Sequence, residues 1–121
     1  MQRFGIGKKE MDFARLLWQQ GELRSGEVVR LCAEAFGWKK STTYTCLRHL
    51  CELGLFQNVD CVVTPLITEE EYVVSVAEAL LKDKFEGSLP VFIEIVTKHY
   101  KLSEEDRKKL RTIIEEAPTT D

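Results

Sequence analysis

The chain has 121 residues, a length that fits one domain or a small domain with an appended helical arm. It is 44% hydrophobic and 31% charged with a net charge of -3, and it shows no low-complexity tract that would indicate disorder. No apolar run approaches the roughly 18 residues that cross a bilayer, and the first residues lack the apolar stretch of a secretion signal, so we expect a cytoplasmic protein without membrane contact.

The first half of the chain predicts three helices. Apolar residues at helical spacing predict a first helix over 8–20 and a second over 25–36, each followed by a glycine that can close it. Ser25 is expected to cap the second helix through its hydroxyl. A third helix is predicted over 41–54, and its inner face includes Thr43.

A short hairpin is predicted after the third helix. The runs 55–59 and 61–64 are short and rich in β-branched residues. The turn-forming residues Asn58 and Asp60 lie between them, so two strands joined by a tight turn are expected. Pro65 ends this unit.

Three further helices are predicted in the second half. Thr68 and Glu71 have the spacing of a capping box, so a long helix should begin there and run to about residue 85. Ser88 is expected to cap the next helix, which has a proline in its first turn and reaches Tyr100. The run 103–106 is expected to start the last one, which a proline ends.

The charge is unevenly distributed between the two halves. Residues 1–66 carry a balance of +2, whereas residues 67–121 carry -5. Only the part of a protein that meets phosphate groups must be basic, so this asymmetry favours a DNA-binding domain over 1–66 and a helical dimerisation domain over 67–121. The predicted fold is therefore mainly α, with an N-terminal winged helix-turn-helix, a short β-hairpin wing and a three-helix dimerisation arm.

The order of three helices and a hairpin is that of a winged helix, whose third helix enters the major groove of DNA. Arg48 can make a forked contact to guanine, and two lysines ahead of the helix can anchor phosphate groups. Hydroxyl groups at the head of a helix are also common caps, which is the alternative for the serine and threonines here. The predicted DNA-binding residues are Lys39, Lys40, Ser41, Thr42, Thr43, Tyr44, Thr45, Arg48 and His49.

The apolar residues of the second half exceed what three short helices can bury alone. A homodimer is the economical solution, and a twofold dimer also presents two recognition helices to a palindromic operator. The predicted dimerisation residues are Tyr72, Val76, Leu80, Phe85, Phe92, Ile95, Val96, Ile113 and Ile114.

No catalytic, metal or cofactor site is predicted. The four cysteines form no CxxC pair, and we expect reduced thiols. Cys46 and Cys51 flank His49, which invites a metal or thiol-sensor hypothesis, but a separation of five is poor spacing for two ligands on one helical face. Cys61 is the thiol most open to oxidation if exposed. No nucleophile lies beside a base in the pattern, so an enzyme is not expected.

The segment 38–55, which reads W-K-K-S-T-T-Y-T-C-L-R-H-L-C-E-L-G-L, resembles the recognition-helix segment of the penicillinase-repressor family, roughly W-S-x-x-T-V-x-T-L-L-x-R-L-x-x-K-G. Trp18, the run 26–28 and the turn over 85–89 add matches in the right order. The resemblance covers about residues 8–116, and the family includes β-lactam-resistance and copper-responsive repressors.

This resemblance implies a winged-helix head, a helical dimerisation arm and repression of nearby genes. It also implies an inducer or a sensor protein that removes the repressor from its operator. The positions that it places against DNA are Thr42, Thr43, Thr45 and Arg48.

The alternative is a winged-helix dimer that serves as a protein-interaction module with weak or no DNA binding. His49 stands where the family usually has arginine, and Leu53 where it usually has lysine. The hairpin is shorter than that of the family by about four residues, which removes wing-tip contacts. Salt-dependent DNA binding discriminates between the two functions.

Overall fold

The computed structural model describes residues 5–120 of the chain. The residues 1–4, which carry part of the expectation about a secretion signal, lie outside this range. The described residues divide at residue 80 into two compact units, while the division of roles at 66/67 stays a prediction. The elements follow the order α1 (Lys8–Gln20), β1 (Leu23–Arg24), α2 (Ser25–Phe36), α3 (Lys40–Glu52), β2 (Phe56–Val59), β3 (Val62–Pro65), α4 (Glu69–Lys84), α5 (Leu89–Thr97) and α6 (Glu104–Glu116).

The core of the first unit lies between α1, α2, α3 and the sheet. Burying each large apolar side chain contributes about 1.5–3 kcal/mol, so this core accounts for most of the stability of the unit. Trp18 extends it, with its ring 5.2 Å from that of Phe56 and its Nε1 donating to the carbonyl of Ile67 at 3.0 Å. The largest fully buried side chains are Phe13, Phe56, Leu17, Leu47, Leu50, Val28, Val63, Thr43 and Cys32.

The start of α2 differs from the sequence prediction. The first helix has the predicted bounds, and α2 also begins at Ser25, but Ser25 is not its cap. Arg24 holds the capping position without a side-chain hydrogen bond. Ser25 is buried, and its backbone N–H donates to the carbonyl of Cys61 at 2.9 Å. The first residue of α2 is therefore fixed by a hydrogen bond to the segment between β2 and β3.

The hairpin belongs to an antiparallel sheet of three strands in the order β1-β3-β2. The prediction of two strands is corrected by β1, whose Leu23 pairs with Val63. Asn58 lies inside β2 rather than in the turn. The turn consists of Asp60 and Cys61, with φ of 52° and 64°, and two positive φ values give the twist that joins antiparallel strands.

The first unit also contains most of α4, up to residue 80. The predicted capping box is confirmed, since Glu71 N–H donates to Thr68 Oγ1 at 3.0 Å and Thr68 N–H donates to the Glu71 carboxylate at 2.8 Å. Tyr72 is buried in the core, and its hydroxyl accepts from Ile6 N–H at 2.8 Å. The prediction of Tyr72 as a dimerisation residue is therefore wrong. Val76 also packs against this core.

The second unit contains the end of α4 and the helices α5 and α6. The predicted cap at Ser88 is confirmed, because its Oγ accepts from Val91 N–H at 3.1 Å. Ser103 likewise caps the last helix, with its Oγ accepting from Asp106 N–H at 3.0 Å. The fifth helix ends at Thr97, before the predicted Tyr100. No residue of α5 or α6 is buried. Among residues 5–120, no helix combines the length and the apolar character needed to span a membrane.

Candidate nucleic-acid interface

The outward face of α3 carries polar side chains along one stripe. Ser41, Thr45 and Arg48 are exposed and follow one another at helical spacing. Thr42 and Tyr44 flank this stripe and are half-buried. The structure thus brings five of the predicted DNA-binding residues onto one accessible surface.

Thr43 lies on the opposite face of α3. Its side chain is fully buried, and its hydroxyl donates to the carbonyl of Lys39 at 3.2 Å. The prediction that Thr43 contacts DNA is therefore wrong. Cys46, Leu47 and Leu50 share this inner face and anchor α3 in the core.

The N-terminus of α3 is open and basic. Lys39 is the capping residue, and no side chain accepts a hydrogen bond from the first turn. The serine and threonine hydroxyls at the head of α3 therefore do not cap this helix. Free backbone N–H groups at such an end attract anions, and Lys40 lies there with its Nζ 6.0 Å from the ring centroid of Tyr44.

His49 is held against α1. Its Nδ1 contacts the carboxylate of Glu10, so the imidazole is engaged within the fold. The His49 side chain is still 41% exposed, so its contact with DNA stays a prediction. The pair also ties the recognition helix to α1 close to the exposed stripe.

Lys9 is a candidate that the sequence did not reveal. Together with residues of α3 it lines a shallow depression whose other members are Ser41, Thr42, Thr45 and Cys46. Its Nζ lies 5.1 Å from the ring centroid of Trp38. The sequence places Lys9 in the first turn of α1. Its proximity to α3 arises from tertiary packing, which the local pattern does not reveal.

The described lysines and arginines from α1 to α3, apart from Arg24 on β1, fall into two groups. Lys8, Arg15 and Arg30 form ion pairs with carboxylates at 3.0–3.1 Å. The second group has no carboxylate partner within residues 5–120 and gathers around α3. Its members are Lys9, Lys39, Lys40 and Arg48. Among the described residues of α1 to α3, unpaired positive charge therefore concentrates at α3.

The wing contributes no such charge. The sequence contains no lysine or arginine from residue 49 to residue 81, and Asp60 stands in the turn. Arg24 on β1 is the cation of the sheet. Apart from Arg24, the unpaired lysines and arginines described in the first unit therefore lie on α3 or next to it.

The four cysteines are free thiols with different environments. Burial raises the pKa of Cys32 to about 11, and burial also raises the pKa of Cys46 and of Cys51. Cys61 is exposed in the turn. Within the described residues, no three of His, Cys, Asp and Glu gather into a metal site.

We expect these thiols to alkylate in a fixed order at pH 8. Cys61 reacts first with iodoacetamide because it is exposed, and Cys32 reacts last because its thiolate is about a hundredfold rarer than at its ordinary pKa of 9.0. Mass spectrometry of peptides at timed intervals measures the order. Early labelling of Cys32 in the folded protein would contradict its burial.

The sequence model of the family described as penicillinase repressor matches residues 6–116. The chain belongs to the penicillinase repressor family. This membership confirms the resemblance of the recognition segment and the winged-helix fold, and it implies a transcriptional repressor rather than an enzyme. No curated protein sequence matches the chain.

Proposed function

We propose that this penicillinase-repressor family member binds a palindromic operator as a homodimer, with α3 in the major groove. The observation that carries this proposal is the exposed stripe of Ser41, Thr45 and Arg48, with no carboxylate partner for the guanidinium within the described residues. The major groove accommodates one helix, and α3 presents its polar face outward.

Residues of α3 and the lysines at its start have distinct proposed roles. Arg48 makes a forked contact to a guanine edge, because a guanidinium matches its two acceptors. The hydroxyls of Thr45 and Tyr44 contact base edges or phosphates. Lys39 and Lys40 contact phosphate groups and set the position of the helix on the duplex.

The homodimer is supported by the exposed apolar surface of the second unit. No residue of α5 or α6 is buried, and Ile113 and Ile114 are 61% and 66% exposed. A second copy would remove this surface from water. The proposed interface of this unit comprises Phe85, Phe92, Ile95, Val96, Ile113 and Ile114, while Val76 and Leu80 of α4 stay predicted dimerisation residues.

Release from the operator is part of the same proposal. The family resemblance implies an inducer or a sensor protein that lowers the affinity for DNA. The repressor would act in the cytoplasm, where the operator is accessible.

A titration of purified protein against the promoter region of its own gene, at about 50 and 200 mM salt, tests DNA binding because phosphate contacts make affinity fall with salt. We expect Arg48→Ala to weaken operator binding by about 10–100-fold, which corresponds to the loss of one bidentate base contact. Arg30→Ala is the matched control, since that guanidinium is already paired with Glu27 and Glu34 and should not affect binding.

A second candidate function is supported by the wing. Its lack of lysine and arginine and the acidic Asp60 in its turn favour a protein-interaction module with weak or no DNA binding. Absence of DNA binding at low salt by folded protein would favour this function over the repressor.

A further inference from the structure

We propose that Lys9 of α1 binds a phosphate group of the DNA backbone, in the depression that it lines with Ser41, Thr42 and Thr45 of α3. The inference rests on the proposed DNA binding and adds a contact from outside the recognition helix. The ligand class is a phosphodiester next to the base pairs that α3 reads.

Lys9 lines this depression, and packing against Trp38 holds its ammonium group in place. The Nζ lies 5.1 Å from the ring centroid of Trp38, and an indole face holds such a cation by electrostatic attraction. The Trp38 ring is itself fixed, with centroids 5.3 Å from Phe13 and 4.9 Å from Phe36. Lys9 is therefore positioned before DNA arrives, which lowers the entropy lost on binding.

The charges around Lys9 leave it available to an anion. Its neighbour Lys8 is paired with Asp12 at 3.0 Å, whereas Lys9 has no carboxylate partner among the described residues. The carboxylate of Glu10, which follows in the chain, contacts His49. Lys9 thus has no direct ion pair at the depression, while Glu10, whose charge also reaches Cys46, is engaged with His49.

The walls and floor of the depression suit a phosphate group. Ser41, Thr42 and Thr45 each carry a hydroxyl that can donate to a phosphate oxygen. Cys46 lies at the floor, and burial raises the pKa of its thiol, so this group stays neutral and does not repel an anion. An ammonium is a compact point charge that suits phosphate better than the planar edge of a base.

The test compares Lys9→Ala and Lys9→Met with Lys8→Ala in DNA titrations over a series of salt concentrations. Lys9→Met keeps an unbranched apolar stem against Trp38 and removes the charge, so it separates electrostatics from packing. Both Lys9 variants should lower the slope of log affinity against log salt by about 0.9 and weaken binding about eightfold at 0.1 M salt. Operator and unrelated DNA should lose affinity equally, because a phosphate contact carries no sequence information.

A normal salt slope in both Lys9 variants, or a loss confined to the operator sequence, would overturn the inference. Lys8→Ala should resemble the wild type, and an equal loss there would show that only general charge matters. Absence of DNA binding by the wild type would instead refute the proposed function. Circular dichroism confirms that each variant is folded.

Discussion

Replacing Phe13 with alanine should lower the free energy of unfolding by about 3–5 kcal/mol, since a fully buried phenyl group leaves a cavity as well as lost apolar contact. Phe13 is 0% exposed, and its ring packs against Trp38 beside the inner face of α3. Domains of this kind are stable by about 5–15 kcal/mol, so the loss is a large fraction of the total. Urea unfolding followed by tryptophan fluorescence measures it.

The control for this substitution is Val59→Ala in the wing. Val59 is 55% exposed, so its truncation should change the free energy of unfolding by less than about 0.5 kcal/mol. A decrease below about 1 kcal/mol in Phe13→Ala would contradict the central place of this ring, because cavity formation there should exceed ordinary surface effects.

The second large effect is expected from Ile113→Asp, which places a carboxylate in the proposed dimer interface. Burial of an unpaired charge costs several kcal/mol, so the dimer should dissociate. The mass in solution should fall from twice the chain mass to 13.9 kDa. Operator affinity should fall by about 100-fold or more, because each half-site would then be bound independently.

Thr112→Asp provides the matched control, since it introduces the same charge at an exposed position of the same helix that is not among the proposed interface residues. Sedimentation equilibrium at micromolar concentration reads the mass of each variant. A dimeric Ile113→Asp protein would place the interface elsewhere, and a monomeric wild type would refute the dimer.

The elements governed by local chemistry could be predicted from the sequence. The bounds of α1 follow from apolar spacing and a closing glycine, and the caps at Thr68, Ser88 and Ser103 depend on residues three positions away. The short strand β1 could not be predicted, because its two residues are ordered by pairing with a strand far along the chain.

The candidate site shows the same limit. The stripe containing Thr45 and Arg48 follows from helical spacing alone, whereas the burial of Thr43 depends on which face of α3 meets the core. The engagement of His49 and the approach of Lys9 both arise from the packing of α1 against α3. Contacts between elements distant in sequence therefore decided which polar residues remain available.

The cation-free wing has a consequence for how this repressor searches a genome. Affinity for arbitrary DNA grows with the number of phosphate contacts, so a head that engages only through α3 and its neighbours spends less time on irrelevant sequence. We expect short residence on non-operator DNA and frequent dissociation between encounters, with little sliding. Such a repressor keeps more of its molecules free, and its target occupancy responds directly to its cellular concentration.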